Sequence, residues 1–114
     1  MAAKLSTHVL DLTRGAPAAG MEIELWSLTE TPQQLKVVTT NDDGRTDAPL
    51  LVGHELLAGD YQLVFKIQSY FAQRGVSSTF FVYAAVFFRI EDPSLSYHVP
   101  LLVTPWAYST YRGS

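Results

Sequence analysis

The sequence predicts an all-β fold: an antiparallel β-sandwich of two sheets with one short helix. Three observations carry that prediction. Several segments alternate apolar and polar side chains with period 2, the pattern of half-buried strands. Clusters of Gly, Pro, Asn and Asp punctuate them at short intervals, as turns do. Helical patterning is thin, so six or seven short strands must supply most of the structure in 114 residues.

Each element follows in order. In Leu5-Ser6-Thr7-His8-Val9-Leu10-Asp11 alternation puts His8 on the face opposite Thr7 and Val9. Residues 21–28 place Met21, Ile23 and Leu25 opposite Glu22, Glu24 and Trp26. Residues 34–40 form a third strand candidate, ended by the turn cluster Asn41-Asp42-Asp43-Gly44. Gly53 to Leu57 has room for one helical turn. Gly59-Asp60 signals a turn before residues 61–68, where Tyr61, Leu63, Phe65 and Ile67 alternate with polar neighbours. Residues 68–74 are the better helix candidate, because alternation fades there and Gly75 follows. Residues 79–90 are apolar on both faces and predict a long strand buried on both sides. Residues 97–103 form the last strand. Pro100 inside it predicts an edge position or a bulge.

The length suits one domain spanning residues 1–114. Charge is sparse: 8 Lys+Arg and 11 Asp+Glu make 17% of the chain, with net charge −3. About a quarter is usual for a soluble domain. A pI of 5.4 and scattered cations argue against a nucleic-acid partner. The uncharged run Phe80-Phe81-Val82-Tyr83-Ala84-Ala85-Val86-Phe87-Phe88 is too short to span a membrane as a helix. No apolar run follows Met1-Ala2-Ala3-Lys4, so no secretory signal is visible and the expected compartment is the cytoplasm. The absence of cysteine excludes disulfides, thiolate catalysis and cysteine-based zinc sites. That same uncharged run would template aggregation if left exposed on a sheet edge, so a partner subunit is expected to cover it.

Few residues are equipped for chemistry. The histidines are His8, His54 and His98. His8 and His98 project from strands, where a hydrogen-bonded structural histidine is the plain reading and an acid–base group the sharper one. His54 reads as a surface residue beside Glu55. Arg45 follows a rigid turn that can aim its guanidinium at a planar carbonyl or carboxylate; a solvated hairpin-end arginine is the plain reading. The chain closes on Tyr108-Ser109-Thr110-Tyr111-Arg112-Gly113-Ser114, which either frays or docks in a site. No phosphate loop, His-Glu-x-x-His helix or nucleophile elbow occurs, and no spacing favours a metal.

Four ordered motifs carry a resemblance. Leu5-Ser6-Thr7-His8-Val9-Leu10-Asp11 with Gly15-Ala16-Pro17-Ala18 resembles the N-terminus of the transthyretin-related family. Asn41-Asp42-Asp43-Gly44-Arg45 looks like its Asp-Gly-Arg turn. Tyr97-His98-Val99-Pro100-Leu101-Leu102 and the terminal Tyr111-Arg112-Gly113-Ser114 are similar to the signature of its enzyme branch, the 5-hydroxyisourate hydrolases.

The resemblance implies a transthyretin-like sandwich and a homotetramer with active sites in the channel between dimers. It implies hydrolytic opening of 5-hydroxyisourate to 2-oxo-4-hydroxy-4-carboxy-5-ureidoimidazoline, without cofactor or metal. It implies His8, Arg45, His98 and Ser114 as catalytic residues, with Tyr111 and Arg112 joining His8 and Arg45 in holding substrate. The alternative from another class is a non-catalytic carrier that keeps a small aromatic ligand in the tetramer channel. Two positions depart from the family pattern: Val82-Tyr83 stands where many members carry Pro-Glu, and Ser96 where many carry His. The sparse charge agrees with a chain whose surface is largely interface.

Overall fold

The computed structural model describes residues 2–114. Among the described residues, nine strands and one helix build two sheets that face each other across a single apolar layer. The strands are β1 (Lys4–Asp11), β2 (Ala16–Pro17), β3 (Glu22–Ser27), β4 (Gln33–Thr39), β5 (Leu51–Val52), β6 (Gly59–Phe65), β7 (Ala84–Ile90), β8 (Tyr97–Val103) and β9 (Tyr108–Thr110). A 3₁₀ turn covers Gly53–Glu55, and α1 covers Ile67–Gln73. One sheet runs β2-β1-β8-β9, with β5 also on β1; the other runs β4-β3-β6-β7.

Every pairing is antiparallel except one. β1 and β8 run parallel, with Ser6 opposite His98 and His8 opposite Pro100. The chain completes the whole second sheet before β8 returns to lie beside β1, a long connection of the kind parallel neighbours require. This pair sits in the middle of its sheet, so residues 92 positions apart in sequence become neighbours.

Alternation decides which face meets the core. In β1, Leu5, Thr7, Val9 and Asp11 are buried, and Ser6, His8 and Leu10 stand half-buried on the outer face. Ile23, Leu25, Leu63, Phe65, Leu101 and Val103 interdigitate between the sheets. Each such side chain contributes about 1.5–3 kcal/mol by leaving water. Helix α1 adds Ile67, Tyr70 and Phe71 to the same layer. Asp11, a buried carboxylate, accepts a hydrogen bond from the Tyr70 hydroxyl at 2.8 Å and one from the Thr13 amide at 3.0 Å. Burial and that carboxylate push the Tyr70 phenol above its ordinary value. The pair ties α1 to β1.

Four expectations need correction. The strand expected over residues 79–90 begins only at Ala84. Before it the chain is crossing from α1, and the Phe80 amide donates to Pro105 O at 2.8 Å in the opposite sheet's β8–β9 connection. Nor is this strand covered on both faces in one chain, since Phe87 is 67% exposed and Phe80 73%. The strand expected over residues 61–68 stops at Phe65, because Ile67 opens the helix.

Pro100 lies neither on an edge nor in a bulge, because β8 has β1 on one side and β9 on the other. Its missing donor falls past the end of β9. Leu101 pairs with Thr110, and the same register continues to an isolated bridge between His98 and Gly113. Pro100 therefore faces Tyr111, beyond the last residue of β9, so its missing N–H breaks no bond of the β8–β9 ladder, and the Thr110 hydroxyl donates to the Pro100 carbonyl at 2.8 Å.

The departures from the family pattern also have places. Tyr83 lies under the Lys66 ammonium, 4.5 Å from the ring centre, beside a 3.0 Å ion pair between Lys66 and Glu24. The Ser96 hydroxyl accepts the Lys4 amide at 3.1 Å and so holds the start of β1.

Candidate active site

The outer face of the β1–β8 pair carries both strand histidines. Parallel register brings Ser6 beside His98, and the Ser6 hydroxyl lies 2.8 Å from His98 Nδ1. His8 sits one pleat further along and meets the Asp42-Asp43-Gly44 turn. His8 Nε2 lies 2.8 Å from Asp43 O. A carbonyl only accepts, so Nε2 carries the proton and the lone pair of neutral His8 is on Nδ1.

The turn is built to aim Arg45. Asn41 Oδ1 accepts the Asp43 amide at 2.9 Å and the Arg45 amide at 3.2 Å, an Asx-type lashing. The Asn41 amide donates to Arg45 O at 2.7 Å. Gly44 has φ +75°, and a Cβ there would overlap the Val9 carbonyl. Only glycine lets the turn lie this close to β1, where the Gly44 carbonyl accepts the Val9 amide at 2.8 Å. Arg45 and His8 then face each other across an isolated bridge. Among the described residues no ion pair holds the Arg45 guanidinium, so its donors remain available.

Arg45 and His98 line one cleft of about 300 Å³, together with Lys4, Ser6, Ser96, Tyr97, Gly113 and Ser114. That volume is at the small end of the ligand-pocket range, of order 300–1,000 Å³. The tail is docked rather than frayed, because the Gly113 amide donates to His98 O at 2.7 Å. Burial, then the Arg45 guanidinium and, when it is protonated, His8 hold His98 below the ordinary imidazole range. Its ring is neutral at neutral pH, able to take or give a proton.

The other expected positions fall differently. His8 adjoins Arg45 but is not among the residues lining the cleft. Register puts Tyr111 on the same outer face, opposite Pro100, yet it is 56% exposed and lines a separate groove beside Phe87 and Phe88. Arg112 turns to the other side, with its guanidinium 4.5 Å over the Tyr97 ring. One chain thus assembles Arg45, His98 and Ser114, sets His8 alongside, and leaves Tyr111 and Arg112 outside the cleft.

The match to known proteins covers nearly the whole chain. The family model described as the HIUase/Transthyretin family matches residues 5–113. The chain belongs to this family. Within the HIUase/Transthyretin family, it is 45% identical to a 5-hydroxyisourate hydrolase of Ralstonia nicotianae, over 97% of this chain and 98% of that one. The structure of Klebsiella pneumoniae 5-hydroxyisourate hydrolase superposes with TM-score 0.84 at 35% identity, covering 98% of this chain and 94% of that one. An (S)-allantoin synthase structure superposes with TM-score 0.93 at 41% identity, covering 99% of this chain but 44% of that one. The fold is accordingly the transthyretin-like sandwich of the HIUase/Transthyretin family.

Within that family fold, sequence reasoning passed over Ser6, Lys4 and the Asp43 carbonyl. Ser6 could have been found, since it shares the face of His8 two residues away. The Asp43 contact is made by backbone, which no residue type announces.

Proposed function

We propose that the protein is a 5-hydroxyisourate hydrolase, opening the ring of 5-hydroxyisourate to 2-oxo-4-hydroxy-4-carboxy-5-ureidoimidazoline. The observation that carries this reading is the shared cleft of Arg45, His98 and the docked Ser114 tail, with His8 held beside Arg45. Relatives of that name at 45% identity over nearly the whole chain support it.

The substrate is a flat ring rich in carbonyl groups. Water adds to an amide-like ring carbonyl, a tetrahedral centre forms, and the ring C–N bond breaks to leave a carboxylate and an N–H. A neutral imidazole takes the proton of the attacking water, and a proton must reach the departing nitrogen. His8 and His98 are the two groups suited to those transfers. The Arg45 guanidinium, in the cleft wall and without an ion pair among the described residues, stabilises the oxyanion as it develops. Ser114 closes one wall of the cleft. Substrate, bound in that cleft, is the one partner this chemistry needs, and no step calls for a cofactor, a metal or nucleic acid.

A homotetramer fits the same reading. β7 and β9 are open sheet edges, and Phe87 is exposed beside one of them. Unpaired, apolar edges need cover. Tyr111, lying outside its own chain's cleft, is available to act where subunits meet. Among the described residues no helix is long and apolar enough to cross a membrane, and a cytoplasmic location is proposed.

The test is spectroscopic. 5-Hydroxyisourate is generated from urate with urate oxidase, and its decay is followed with and without the protein. Accelerated decay is expected. A rate equal to the spontaneous one, with ligand binding retained, would turn the reading to that of a carrier.

A further inference from the structure

We propose that Ser6 and Gly113 are positioning residues that clamp the His98 ring: Ser6 donates its hydroxyl proton to Nδ1 and holds the neutral ring as the Nε2–H tautomer, while Gly113 lets the tail backbone lie against the opposite ring edge. The catalytic consequence rests on the hydrolase reading; the tautomer is a property of the free protein.

The first half follows from donor and acceptor counting. Ser6 Oγ is 2.8 Å from His98 Nδ1, and the two residues are direct partners in the β1–β8 ladder. A serine hydroxyl has one proton to give and two lone pairs. Among the described residues, His98 Nδ1 is the partner of this hydroxyl. Were Nδ1 protonated, Ser6 would accept instead, and its own proton would have to turn away from the ring toward the cleft that Ser6 lines. Donation from Ser6 satisfies both atoms, and an unpaired donor costs more than an unused lone pair. Because His98 is neutral, its tautomer decides what it presents to substrate.

The second half is steric. A Cβ placed on Gly113 would lie 2.6 Å from His98 Cδ2 and 3.3 Å from Cγ. Real Cβ atoms do not approach so closely, so ring or tail would have to move by most of an ångström. Glycine is required there for its size, since its φ is not in the left-handed region. The Gly113 amide fixes the tail to His98 O at the same place. The ring is thus held by Ser6 at Nδ1 and by Gly113 at Cδ2. A half-turn of the ring would exchange these atoms and put carbon against the serine hydroxyl. Among the described residues Nε2, next to Cδ2, is left as the ring's free polar atom, and it meets substrate as a hydrogen-bond donor.

Long-range ¹H–¹⁵N correlation on uniformly labelled protein, above the pH at which His98 titrates, reads the tautomer without substrate. The expected result is an unprotonated Nδ1 and a protonated Nε2. Ser6→Ala is expected to mix the tautomers and lower kcat about tenfold with KM little changed, the loss of one hydrogen bond. Ser6→Thr, which keeps the hydroxyl, restores the wild-type tautomer. Gly113→Ala is expected to lower kcat roughly 100-fold, the cost of misplacing a reacting group by about 1 Å, with the urea midpoint close to wild type. An Nδ1–H tautomer in the wild type overturns the Ser6 assignment even if Ser6→Ala does not fold. Wild-type kcat in Gly113→Ala overturns the Gly113 assignment. A protein with the expected tautomer but no effect on 5-hydroxyisourate decay would defeat the hydrolase reading and leave the clamp standing.

Discussion

His8 Nε2 donates to Asp43 O at 2.8 Å, so a strand histidine and the backbone of a distant turn fix each other. The contact joins positions 35 residues apart and sets Arg45 directly across from His8. Removing either histidine is expected to cripple catalysis. His8→Ala and His98→Ala should each lower kcat by roughly 10²–10⁴-fold, the range for a lost acid–base group. Steady-state kinetics on 5-hydroxyisourate check this, and activity within a few-fold of wild type removes that histidine from the mechanism.

Gly44 transmits the turn's position to Arg45. Gly44→Ala meets both a left-handed φ and the Val9 carbonyl. The backbone strain alone costs about 1–3 kcal/mol, and the overlap pushes the turn off β1. Chemical denaturation should show the loss, and kcat should fall further than stability alone explains because Arg45 moves with the turn.

Tyr70→Phe separates stability from activity. It leaves Asp11 Oδ2 buried without its 2.8 Å donor, on the core side of the sheet, away from the cleft. The expected cost is about 1–3 kcal/mol, that of a buried group left unpaired. Urea unfolding measures it, and kcat at a temperature where the variant is folded should equal wild type.

His98 sets a pH signature. Burial, then the Arg45 charge and that of His8 when it is protonated, hold its pKa below the ordinary value. As pH falls, the unfolded chain binds this proton first, near the usual value of about 6.5. This group therefore costs no stability well above that pH, and costs progressively more from there down to the folded-state pKa. NMR titration of the His98 ring should give a midpoint below the ordinary value, and Arg45→Gln, which removes a repelling cation, should raise it.

Deleting residues 111–114 removes the Gly113–His98 bridge but no core side chain. Activity should fall by roughly 10²-fold or more as His98 loses its support. Folding stability should change by only about 1–2 kcal/mol, one backbone hydrogen bond and the contact of Arg112 with the Tyr97 ring. Unfolding of the whole domain on truncation would make the tail structural instead.

Local pattern was enough for most of the secondary structure. β8 came out as Tyr97–Val103, as alternation indicated, and α1 lies within one residue of the stretch before Gly75. Pattern failed at residues 79–83, because continuous apolar character does not distinguish a strand from a crossing segment that packs by its aromatic rings. There Phe81 stands edge-to-face with both Phe80 and Tyr108. It also failed at Pro100, where the proline is tolerated because its missing donor faces Tyr111 beyond the end of a short strand.

By itself the sequence determined the two-sheet β fold, the inward faces of its strands, and the residue types that could do acid–base chemistry. Those follow from alternation and side-chain pKa, which are local properties. The tertiary structure alone decided which of these residues meet. The parallel β1–β8 pairing puts Ser6 against His98, a glycine lets the turn reach β1 and face Arg45 to His8, and a second glycine seats the tail on the imidazole. Each is a contact between segments far apart in the chain, set by register and close approach of backbones, and neither quantity is encoded at a single position.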